Sequence, residues 1–169
     1  MLSKILNTLF IVVILLAPSA LHAESTDSNW FDVSGNAVHF FSTSISHSEE
    51  MVDGGKIAYT TDTIDIKGDL NGRVVYHIKS VFDFQKQTLV NTGHQVFSGT
   101  IKGSMPVLIL DDQFEFNVKL DTGAVLGKVY LNQTLAGESI ECNLTITGTG
   151  YAENGDGLAD YNGKCRKKQ

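Results

Sequence analysis

The chain has 169 residues, with 13 Lys and Arg against 19 Asp and Glu, giving a formal net charge of −6. Nucleic acid is excluded as a partner on this balance, because binding it requires clustered cations that displace counterions. The only basic cluster is the terminal tail Arg166-Lys167-Lys168, which reads as solvated.

Residues 1–23 have the layout of a secretory signal peptide. Lys4 supplies a positive start, residues 9–17 form an apolar core, and Pro18 breaks it toward a small residue at Ala23. The apolar run is well short of the roughly 20 residues that a spanning helix needs. No Cys follows the cleavage point to carry a lipid. The expected mature chain is residues 24–169, a single all-β domain without a membrane span and with 12 basic against 19 acidic side chains. Its expected location is secreted or periplasmic.

After a polar start, residues 37–46 read as a strand around Val38-His39-Phe40-Phe41. Residues 48–55, with Glu49, Glu50 and Asp53, read as a solvated loop and turn. Residues 56–66 form a second strand, and Asn71-Gly72 matches a type I′ hairpin turn. Residues 73–84 carry apolar side chains on both parities, with Val74, Tyr76 and Ile78 on one and Val75 and Val81 on the other; a bulge or contacts on both faces would account for this. A turn is expected at Asn91-Thr92-Gly93 and a strand over 94–101. A short apolar run over 105–110 follows, with a reversal at Asp111-Asp112. In residues 113–121, Phe114, Phe116, Val118 and Leu120 share one face, opposite Gln113, Glu115, Asn117, Lys119 and Asp121. Thr122-Gly123 turns into a strand over 124–131.

The last stretch contains the only two cysteines. Residues 140–147 alternate without error, placing Ile140, Cys142, Leu144 and Ile146 on the core face. The glycines of 148–157 and the Asn154-Gly155 step supply a reversal, and residues 158–165 return. A turn at Asn154 brings Cys142 and Cys165 nearly opposite, so a disulfide is geometrically reasonable. Two cysteines in an oxidising compartment favour the same pairing. With the bridge formed, Ala159, Tyr161 and Gly163 take the inner face, while Leu158, Asp160 and Asn162 face outward.

Eight or nine short strands without sustained helical periodicity predict an all-β fold. Tight connections favour a single antiparallel up-and-down barrel of about eight strands, which closes and removes its own edges; a β-sandwich is the alternative. The phrases Phe97-Ser98-Gly99-Thr100-Ile101-Lys102-Gly103 and Gly148-Thr149-Gly150 resemble the glycine style of small allene oxide cyclase and dirigent-type barrels. They are not a catalytic motif, and the resemblance implies no functional residue here.

The four histidines of the expected mature chain, His39, His47, His77 and His94, lack paired metal-ligand spacing, so no metal or cofactor is expected. In the acidic segment 153–160, a calcium loop would place Ala152 and Gly163 at two ligand positions, so the segment reads as a turn. There is no G-x-S-x-G nucleophile phrase, and Gly148-x-Gly150 lacks the third glycine and helix of a phosphate loop. Asn132 and Asn143 begin formal glycosylation sequons. Tyr76, Phe114, Phe116 and Tyr130 are the candidate cavity-lining residues, since an eight-stranded barrel either packs such side chains as core or holds one small ligand. The expected function is non-catalytic binding of a small apolar ligand or a protein partner surface. The alternatives are a barrel cyclase or isomerase acting on a small hydrophobic substrate, and an envelope or host-facing interaction protein.

Overall fold

The computed structural model describes residues 29–168, so the signal-peptide reading lies outside the described residues. Ten strands follow in order: β1 Trp30–Val52, β2 Gly55–Gly68, β3 Leu70–Asp83, β4 Thr88–Ile101, β5 Val107–Asp111, β6 Glu115–Lys119, β7 Val125–Leu131, β8 Gln133–Ala136, β9 Ile140–Tyr151 and β10 Gly157–Lys167. All pairings are antiparallel, and β10 returns to pair with β1, from Trp30↔Arg166 to His39↔Gly157. The result is a closed barrel. β5 and β6 pair with successive stretches of β4, so they form one stave interrupted between Asp111 and Glu115. β7 and β8 likewise share a stave against β6 and β5, giving eight staves from ten strands. The barrel expectation therefore holds over the sandwich.

The chain does not reverse at Asp111-Asp112, as the sequence suggested; it bulges and continues. Asp111 makes this break possible. Its fully buried carboxylate accepts from Gln95 Nε2 at 2.9 Å, from the Tyr130 backbone N–H at 2.9 Å and from the Gln113 N–H at 2.8 Å. Donors that the interrupted ladder leaves free are thus satisfied, as buried polar groups must be.

Three other expected breaks are also strand. Asn71 and Gly72 lie within β3, and the chain turns instead at Gly68-Asp69. A Cβ on Gly72 would sit 2.3 Å from the Ser98 carbonyl oxygen and 2.7 Å from the Gly99 Cα, so this glycine serves close approach between strands rather than a turn. Asn91, Thr92 and Gly93 are paired residues of β4, with the real turn at residues 84–87. Residues 48–52 are strand rather than loop. Beyond His39, β1 leaves β10, bulges between Phe40 and Ile45, and continues as a solvent-exposed arm paired with β2 up to Val52↔Gly55. No bulge occurs in β3: its register is unbroken on both sides, Val74, Tyr76 and Ile78 point inward, and Val75 and Val81 are exposed.

One half of the interior is filled. Leu70, Phe97, Ile101, Ile109, Ile140 and Tyr161 are almost fully buried there. The Tyr161 side chain of β10 passes over Gly35 of β1 to the β2–β3 turn, its hydroxyl accepting from the Leu70 N–H at 2.7 Å and donating to the Leu70 carbonyl at 3.4 Å. Cys142 and Cys165 are paired in register and bonded, with both side chains fully buried. The alternation that put Cys142 on the core face therefore also orients Ala159 and Tyr161 inward. A bulge between Leu158 and Ala159, opposite Gly148–Gly150, brings Leu158 into the lining of the open half, against the outward expectation.

Candidate functional site: a half-open apolar cavity

The other half of the barrel is hollow. A cavity of about 310 Å³ occupies it, opening at the end that bears the β6–β7 and β9–β10 turns. Phe41, Leu120, Gly123 and Tyr151 stand around the mouth, and Phe41 and Tyr151 are exposed. The deeper wall comes from inward parities: Ile64 and Ile66 of β2, Val74 and Tyr76 of β3, Phe116 of β6, Val129 of β7, and Leu144 and Ile146 of β9. Small residues make the space. A Cβ on Gly148 would meet the Val125 Cβ at 2.8 Å, and one on Gly127 would enter the Phe116 ring at 2.2 Å. Phe116 keeps its position because Gly127 has no side chain.

Of the four candidate lining residues, the structure places two in the wall. Tyr76 and Phe116 line the cavity, with ring centroids 5.8 Å apart. Phe114 lies behind them, buried and 4.9 Å from Tyr76, so it packs as core rather than as lining. Tyr130 is misplaced by the sequence reading: its neighbours Val129 and Leu131 take the inner parity of β7, which turns Tyr130 outward. Both inner neighbours carry the same apolar signal, and a one-residue choice of parity inverts a strand's faces.

The wall includes a polar constellation that the sequence reading missed. His39 shares the inward parity of Ala37 and Phe41 on β1, and its Nε2 lies 3.1 Å from Asp62 Oδ2 on β2. Asp62 is almost fully buried, and its Oδ1 has no hydrogen-bond partner. Burial pushes this carboxyl up, but the bond to His39 and the nearby Ser44 and Thr60 hydroxyls outweigh it and hold the group below its ordinary value. The carboxylate is therefore ionised at neutral pH and can only accept. Asn91 and Gln95 also line the cavity. The Asn91 Oδ1 accepts from Ser80 Oγ at 2.8 Å, and the Gln95 amide is held by Asp111. Burial strongly raises the Tyr76 hydroxyl, keeping it protonated. Among the described residues, no Lys, Arg, Asp or Glu lines the cavity.

The other three histidines lie on the opposite face. His77 and His94 stack with centroids 4.8 Å apart, while the Thr61 hydroxyl is 2.9 Å from His77 Nδ1 and 2.7 Å from His47 Nε2. Partial burial, then the neighbouring His94 and His47, hold the His77 imidazole below its ordinary value. Among the described residues, no group of three or more His, Cys, Asp or Glu is placed to hold a metal ion. The 152–156 segment is a turn in which Asn154 Nδ2 donates to Asp156 Oδ2 at 2.7 Å and Asn154 Oδ1 accepts from the Asp156 N–H.

Among the described residues, no helix is long and apolar enough to cross a membrane. Comparison of the chain with protein-family models, curated proteins and solved structures returns no match.

Proposed function

We propose that the protein is a secreted or periplasmic, non-catalytic barrel that holds a small apolar ligand in its open half. The observation that carries this reading is the cavity of about 310 Å³, walled by aliphatic and aromatic side chains in a barrel whose other half is packed solid. Its size is at the lower end of small-molecule sites, equivalent to about ten waters of liquid volume. The Cys142–Cys165 bridge fits an oxidising compartment. Native mass spectrometry of protein recovered from its own host tests the proposal. A co-purified small molecule is expected; repeated recovery of bare protein under gentle conditions would count against it.

A second reading, a barrel cyclase or isomerase, draws on the His39–Asp62 pair in and behind the wall, a base with an orienting carboxylate. Conversion of the recovered ligand by fresh protein, lost in His39→Phe, would select this reading; return of the ligand unchanged would select binding alone.

A further inference from the structure

The ligand-binding proposal leaves open what chemistry the ligand carries, and the inference here rests on that proposal. We infer that the cavity selects an uncharged ligand bearing a hydroxyl, an alcohol or phenol, which donates a hydrogen bond to Nδ1 of His39.

The described lining has no Lys or Arg to neutralise a carboxylate or phosphate. A ligand cation finds no acidic side chain on the wall, because Asp62 stands behind His39 and is not part of it. Bringing either ion into an apolar cavity without a partner costs several kcal/mol, so the occupant is neutral.

Polarity then gives the direction of the hydrogen bond. An ionised carboxylate only accepts, so the bond at 3.1 Å requires the proton on Nε2 of His39. With that as its single proton, the ring presents a lone pair at Nδ1, which has no bond to any described residue. The other polar groups of the wall are committed in part: Asn91 Oδ1 to Ser80 and Gln95 Nε2 to Asp111. His39 is held by contacts with Phe41 and Tyr76, at centroid distances of 4.4 and 5.8 Å, as well as by Asp62. Asp62 is thus a positioning residue. It fixes the tautomer and thereby places an acceptor in the wall for a ligand hydroxyl.

Three bicyclic probes of nearly one shape test this on the full chain near neutral pH: naphthalene, 1-naphthol and 1-naphthoate, titrated by fluorescence. The expected order is 1-naphthol about fivefold tighter than naphthalene, the worth of one net hydrogen bond, with 1-naphthoate weakest. His39→Phe should abolish the preference, so that 1-naphthol and naphthalene bind this variant with equal affinity. Independently of any variant, histidine side-chain nitrogen NMR of the wild-type protein should show the Nε2–H tautomer at His39. The Nδ1 resonance should move on addition of 1-naphthol and not of naphthalene. If naphthalene binds as tightly as 1-naphthol, or 1-naphthoate binds best, the hydroxyl inference is overturned while the cavity reading stands. If none of the probes binds, both fall together.

Discussion

Replacing both cysteines with alanine removes the cross-link at the point where the last two strands are already in register, Cys142 opposite Cys165. The bridged positions are separated by 23 in sequence. The chain-entropy relation for a loop of that length gives about 3 kcal/mol of lost stabilisation. At roughly 2 cal/mol/K of unfolding entropy per residue, a domain of this size has a midpoint entropy near 0.3 kcal/mol/K, so Tm should fall by about 10 °C. Differential scanning calorimetry of the wild-type and Cys142→Ala/Cys165→Ala proteins in oxidising buffer measures this. Because both sulfurs are fully buried, the native bridge should also resist thiol reductants until the barrel opens. An unchanged midpoint, or rapid reduction of the folded protein, would refute the assignment of this bridge as a structural clamp.

Three further outcomes follow from buried polar groups. Asp111→Ala strands the Gln95 amide and the Tyr130 and Gln113 N–H groups together; urea unfolding should show a loss of about 3–5 kcal/mol, and a loss below 1 kcal/mol would contradict its role at the strand break. Tyr161→Phe keeps the ring but leaves the buried Leu70 N–H unpaired, at a cost of about 1–3 kcal/mol in the same assay. Asp62 has a folded-state value below its unfolded one, so it adds stability above the unfolded value and loses it as pH falls through the folded value. The stability difference between wild type and Asp62→Asn should therefore shift against the wild type as pH falls through the ordinary Asp value of 3.8 and below it; a pH-independent difference would contradict the ionised pair.

Where one face met the core and the other met water, the fold was legible. Residues 113–121 and 140–147 alternate cleanly, and their inner parities are the ones the barrel buries. Turn chemistry misled where glycine served packing. Gly72 and Gly93 sit inside strands, and a Cβ on Gly93 would come 2.1 Å from the His77 carbonyl oxygen. The arm over residues 48–52 was unreadable as strand because every side chain there is exposed, so no alternation was imposed on it. The cavity was only half visible. Tyr76 and Phe116 follow from parity, but the choice between filled and hollow depends on glycines at positions 127 and 148 that lie far from them in sequence. The His39–Asp62 pair joins residues 23 apart, through a strand register that no local pattern reveals. A usable signal was present: Asp62 shares its parity with the apolar Ile64 and Ile66, and a carboxylate on an inward face needs a partner.

The central claim is that the open half of the barrel receives a small apolar molecule. Backbone and methyl NMR of the isotopically labelled protein titrated with naphthalene tests it most directly. Saturable shifts confined to the cavity wall, at Ile64, Val129, Leu144 and Ile146, with the packed half at Leu70, Phe97 and Ile101 unmoved, are the expected result. No saturable shift, or shifts confined to the exposed arm around Ile45 and Met51, would contradict it.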